Sequence, residues 1–204
     1  MERFLEYERE ASRLELLIIR PIYSFILYII YGIYGLISGI CSGIQFLVVL
    51  FTGKRNESLN DFIRLVVLFS IQISAYTSAL SDKRPELTPE RMRVFFEQLD
   101  QGNNMEEFLL YEINASRLEL LIIRPIYSII IGIVIMIYGI IAGICQFIQW
   151  FIVLFTGERN EGLNRTIRSF IVLQIQVSAY TAALTDQRPE LSPRNLIIHL
   201  DKLL

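Results

Sequence analysis

At 204 residues, 53% of them apolar and 20% charged, the chain is too greasy for an average soluble domain. A formal net charge of −2 excludes a nucleic-acid footprint and a supercharged tail. The two cysteines, Cys41 and Cys145, lie inside apolar runs and form neither a disulfide framework nor a zinc spacing.

Residues 2–19 read as an amphipathic helix. Phe4, Tyr7, Ala11, Leu14 and Ile18 keep the three-to-four spacing of one face, and the acidic and basic residues take the other. No short apolar core with a small-residue cleavage site precedes the first long run, so insertion is expected to be directed by that run itself. Ser12-Arg13-Leu14-Glu15 has capping-box form. Pro21 then predicts a kink where the helix meets an apolar surface. Arg13 and Arg20, with Arg117 and Arg124 in the second half of the chain, are candidates for lipid headgroups. An interfacial helix that only sets the entry angle is the plainer alternative.

From Ile22 to Phe51 no residue is charged. A surface helix needs a polar face, whereas a bilayer core of ~30 Å needs ~20 apolar residues at ~1.5 Å each. The run therefore predicts a membrane helix with aromatic ends. Gly35, Gly39 and Gly43 recur every fourth residue within it, as do Gly139 and Gly143 later. Small residues at that spacing let a second helix approach closely, and predict packing of the two long helices on each other. Thr52-Gly53 signals a helix end. The loop after it carries Arg55, Asn56 and Glu57, matched by Arg159, Asn160 and Glu161. Arg55 and Glu57 read as a local ion pair or a cap, not a catalytic pair, and Asn60 or Asn164 as the cap of the next helix.

Leu65–Ser81 and Ser169–Thr185 are uncharged and, at seventeen residues each, just long enough to span. Ser70, Ser74, Thr77 and Ser81 form a small polar stripe, mirrored by Gln174, Ser178, Thr181 and Thr185. Interhelical hydrogen bonding is the bland explanation of that stripe, and the lining of a solute path the sharper one. Thr88-Pro89 and Ser192-Pro193 open a short terminal helix with an apolar face. His199, the only histidine, reads as incidental.

The whole pattern occurs twice. Shifted by 104, Ala11–Pro89 matches Ala115–Pro193 at 51 of 79 positions. Two membrane repeats, 1–100 and 105–204, are thus joined by a connector at 101–104. A fused duplication of a self-pairing ancestor accounts for this.

Phe51-Thr52-Gly53-Lys54-Arg55-Asn56-Glu57-Ser58-Leu59, then Ser74-Ala75-Tyr76, then Ser81-Asp82-Lys83-Arg84-Pro85, resembles the bacterial and archaeal DUF4389 membrane family. The second copy repeats the resemblance through Leu154-Phe155-Thr156-Gly157, Asn160-Glu161, Ala179-Tyr180 and Leu184-Thr185-Asp186 with Pro189. The resemblance implies a fold type and a bacterial or archaeal inner membrane, and no mechanism. Two departures stand out: family members are commonly single units, and their second helix tends to carry charges.

The expected fold is an all-α integral membrane protein of two tandem helical hairpins, about four spanning helices, with interfacial helices beside them. Thirteen Lys/Arg on the side of the termini against six in the loops put the termini in the cytoplasm and favour parallel copies. The expected function is that of a non-enzymatic structural or accessory subunit. It needs no cofactor or metal and engages lipids, itself or a larger membrane complex. A small channel or carrier and a membrane-shaping hairpin are the alternatives.

Overall fold

The computed structural model describes residues 7–87, 109, 111–189 and 191. The connector at 101–104, the helices expected after Pro89 and Pro193, and His199 lie outside the described residues. Four long helices make up the described chain: α1 (Arg20–Thr52), α2 (Glu57–Thr77), α3 (Arg124–Thr156) and α4 (Glu161–Thr181). Single π-helical turns, Glu15–Ile19 and Glu119–Ile123, lead into α1 and α3.

The N-terminal segment differs from the expected helix. Residues 7–12 are non-helical, and Glu10 forms an antiparallel bridge with Glu158, as Lys54 does with Asn114. Pro21 produces no break either. It sits in the first turn of α1, after the π turn in which the Arg20 N–H donates to the Glu15 carbonyl. Widening the ladder by one residue ahead of a proline relieves the contact that would otherwise kink the helix.

Both long helices end as their sequence indicates. Gly53 and Gly157 adopt φ of 72° and 76°, the left-handed conformation that glycine takes without a Cβ penalty. The following helices start at Asn56 and Asn160, whose side-chain oxygens accept from the N–H groups of Leu59 and Leu163, each at 3.2 Å. The cap thus lies four residues before the Asn60 and Asn164 expected, and those two are buried instead. α2 and α4 then stop at Thr77 and Thr181, short of the ends of the uncharged runs. The Ala79 N–H donates to the Tyr76 carbonyl and the Leu80 N–H to that of Ala75, with Ala79 at φ 60°. This is a Schellman turn with alanine where glycine is usual. Ala183 repeats it.

The uncharged part of α2 therefore covers only Leu65–Thr77, about 20 Å at 1.5 Å per residue, well short of a bilayer core. By overall length and composition, three helices among the described residues are long and apolar enough to cross a membrane: Glu15–Thr52, Glu57–Thr77 and Glu119–Thr156. α4, with Glu161, Arg165 and Arg168, is not among them, so the expected set of four becomes three.

Each long helix packs on the short helix that follows it, and α2 packs on α4. The core between them holds Leu27, Ile63, Phe69 and Tyr76 from the first copy, with Ile167, Ile171, Ile175 and Ala179 from the second. Tyr31 and Tyr34 bracket Phe69 with ring centroids 6.3 Å away. α1 and α3 do not pack on each other as their glycines predict. A Cβ added at Gly35, Gly39, Gly43 or Gly143 would meet nothing within 4 Å, and only Gly139 faces a neighbour, the Phe170 ring at 3.3 Å.

The relation between copies also differs from the parallel one expected. The Ala11 N–H donates to the Gly157 carbonyl and the Ala115 N–H to that of Gly53; the Arg159 N–H donates to Arg9 and the Arg55 N–H to Ile113. Each of these backbone contacts recurs with the copies exchanged, the signature of a two-fold. The start of each long helix thereby meets the end of the other, so the hairpins run head to tail and the axis lies perpendicular to the helices.

Candidate functional site

Among the described residues, the charged contacts between the copies are concentrated at the two ends of the helical body, where a loop arginine of one copy enters the other. The Arg159 side chain is fully buried. Its Nε donates to the Ala79 carbonyl at 2.8 Å, its Nη1 to the Glu8 and Glu10 carbonyls, and its Nη2 to Asp82 Oδ1 at 2.5 Å. Arg55 makes the mirrored set with Ala183, Glu112, Asn114 and Asp186. The left-handed turn at each alanine thus aims its carbonyl at the incoming guanidinium. Neither arginine pairs with its sequence neighbour Glu57 or Glu161, so the local ion pair expected is replaced by one across the copies. Glu57 and Glu161 are exposed in the first turns of α2 and α4, and Glu161 pairs with Arg165 at 2.8 Å.

Asp82 is the hub of its end. Oδ1 also accepts from Arg20 Nη2 at 2.7 Å, and Oδ2 from the Ser12 N–H at 2.8 Å. Asp186 does the same for Arg124 and Ser116. Arg20 and Arg124 are consequently buried protein ties and not headgroup ligands, each guanidinium lying about 5 Å over a tyrosine ring, Tyr76 or Tyr180. Arg13 and Arg117 are exposed, but each donates to the last carbonyls of the other copy's long helix, at Phe155 and Phe51. Cations there also complement the negative end of the helix dipole.

The capping box forms only by half. Ser12 Oγ accepts from the Glu15 N–H at 3.3 Å, but the Glu15 carboxylate turns to Arg84 and to the Tyr76 hydroxyl, which donates to it at 2.6 Å. The Arg84 hydrogen bonds hold this carboxyl below the usual carboxylate range, against burial; Arg188 does so for Glu119. Burial first, and then the bond to Glu119, push the Tyr180 hydroxyl up to about 12, which keeps it a neutral donor. Gln45 and Gln149, fully buried within the long apolar runs, accept the N–H groups of Asn56 and Asn160 through their Oε1 atoms.

Three hydroxyls of the polar stripe turn back on their own helices. Ser70, Thr77 and Thr181 donate to carbonyls of their own helices at Val67, Ile73 and Val177. Among the described residues no three His, Cys, Asp or Glu side chains gather as metal ligands would.

These fastenings fall on the motif residues of both copies, and the profile described as Domain of unknown function (DUF4389) matches residues 15–87 and again 119–191. The chain belongs to the DUF4389 family. No match was found among curated proteins or solved structures. In this DUF4389 protein the Phe-Thr-Gly segment ends the long helix, the Arg-Asn pair crosses to the other copy and caps the next helix, and Asp82 and Asp186 tie the copies together. Sequence reasoning missed the two aspartates as site residues. Their signal was present, since Asp82 after Leu80-Ser81 and Asp186 after Leu184-Thr185 both lie in the segments that carry the family resemblance and sit at equivalent positions of the two copies.

Proposed function

We propose that the protein is a non-enzymatic integral membrane protein whose role is structural, a packing or accessory unit held in lipid. One observation carries this reading: the exposed large apolar side chains of the four helices all lie on α1 and α3, from Ile22 to Phe51 and from Ile126 to Phe155. An apolar surface of that extent has no place in water. The side-chain network at the two ends supports a structural role, because its arginines and carboxylates serve one another and the backbone. The Ser70, Thr77 and Thr181 hydroxyls, turned back on their own helices, argue against a solute path.

Resistance to alkaline carbonate extraction tests the membrane assignment. Blue-native electrophoresis after mild detergent extraction tests the packing role, which predicts a species heavier than the monomer; a clean monomer with no associated protein contradicts it. The confinement of apolar surface to two helices favours membrane shaping as a second reading. Tubulation of liposomes by the purified protein would support it, and unchanged liposomes would end it.

A further inference from the structure

The membrane assignment leaves the orientation open, and three observations bear on it. The first is length. Including the π turn, the outward apolar side chains of the first long helix begin at Leu14 and continue to Phe51. At 1.5 Å per residue that stripe is about 55 Å long, against a hydrocarbon core of ~30 Å and a whole bilayer of ~40–45 Å. Tilts of up to ~40° would still leave it projecting well beyond the core. Leu118–Phe155 repeats the dimension.

The second is charge. Gly139 lies level with Phe170, close to the middle of α3, which places Arg168 within about 3 Å of mid-height along the helix axis. The exposed pair Glu161–Arg165 lies one to two turns away. An upright molecule would hold these groups in or near the centre of the hydrocarbon, where charge is costly. α2 and α4 expose no large apolar side chain that would suit such surroundings.

The third is symmetry. A two-fold perpendicular to antiparallel α2 and α4, passing between them, carries each long helix to the same side of the α2–α4 layer. Gln146 of α3 donates to the Thr77 carbonyl at the end of α2, so α3 reaches across α4 to the other short helix.

We propose that the protein lies flat within one leaflet, its two-fold along the membrane normal, with α1 and α3 among the acyl chains and α2 and α4 toward headgroups and water. The partner of the apolar face is therefore the acyl region of a single leaflet. This rests on the membrane assignment above and goes beyond it, since nothing then crosses the bilayer through the described helices.

The test uses the full chain in sealed proteoliposomes, with Cys41→Ala and Cys145→Ala as background. Single cysteines are placed at Lys54, Lys83, Glu158 and Gln187 and treated with a membrane-impermeant maleimide. All four should react from the same side. Reaction of Lys54→Cys and Gln187→Cys from one side, with Glu158→Cys and Lys83→Cys from the other, would mean an upright inverted body and overturn the proposal. Pairing of Lys54→Cys with Glu158→Cys against the other two would do so as well, by showing parallel hairpins. Loss of the protein to a carbonate wash would instead overturn the membrane assignment itself. A second readout avoids the loops: nitroxides at Phe25, Leu36 and Leu47, all on the outer face of α1, should report similar depths by oxygen accessibility. A middle label much deeper than the outer two would refute the flat orientation.

Discussion

Asp82→Ala removes the acceptor shared by Arg20, Arg159 and the Ser12 N–H. Two guanidinium side chains, 7% and 0% exposed, are then left without their anion. Deleting one partner of a buried pair typically costs about 3–5 kcal/mol because the remaining charge stays desolvated. Asp82 is itself 26% exposed, so water can partly replace it and the lower figure applies, roughly 3 kcal/mol. Trp150 is a built-in reporter, since it packs on the cluster of Leu16, Ala79 and Val153 at this end of the molecule. Unfolding in mixed micelles, followed by Trp150 emission, should show that loss. Glu158→Ala provides the contrast: it removes the exposed Arg9–Glu158 pair and should cost less than ~1 kcal/mol. In the double-mutant cycle, Asp82→Ala and Arg159→Ala should couple by more than ~1 kcal/mol, since the two groups share one network. Equal effects of Asp82→Ala and Glu158→Ala, or additive effects in the cycle, would refute the view that the aspartate fastens the copies.

Glu15 and Glu119 have carboxyl pKa values lowered by folding, so their contribution is fully present above the ordinary carboxylate value and is lost as pH falls through the folded one. Trp150-monitored stability should therefore decline on acidification below about pH 4, and Glu15→Gln should flatten that decline. Asn56→Ala and Asn160→Ala should each cost about 1 kcal/mol through loss of the helix cap, measured in the same unfolding assay. A Cβ added at Gly39 meets no neighbour within 4 Å, so Gly39→Leu should leave the monomer's stability intact. If the glycine face seats another helix, the same change should remove the heavier species on blue-native gels. Gly139→Leu, pressed against Phe170, should destabilise the fold itself.

The duplication, the two long helices and their glycine ends were legible in the sequence, because an uncharged run followed by Thr-Gly leaves little else to build. The short helices were misjudged for a local reason. Ala79 and Ala183 enter the left-handed region that sequence rules reserve for glycine, so the helices stop at Thr77 and Thr181 with no visible stop signal. Arg20 beside a proline at the head of an apolar run reads as a headgroup ligand. Its real partner, Asp82, is 62 residues away and is brought close only by the hairpin. The direction of the copies was misread, because the Lys/Arg count that favours parallel copies does not register which turn each loop arginine reaches. Two near-identical hairpins match their apolar faces equally well side by side or head to tail, and the choice rests on Arg55 and Arg159 reaching a left-handed turn in the opposite copy. That pairing exists only once both hairpins have formed.

The head-to-tail arrangement underlies the rest of the account, and one distance tests it directly. In the cysteine-free background, spin labels at Lys54→Cys and Glu158→Cys mark the far ends of the two hairpins. Pulsed electron resonance should give a separation of roughly 50 Å, the length of the long helices at 1.5 Å per residue. Labels close together, as parallel hairpins would place them, would contradict it.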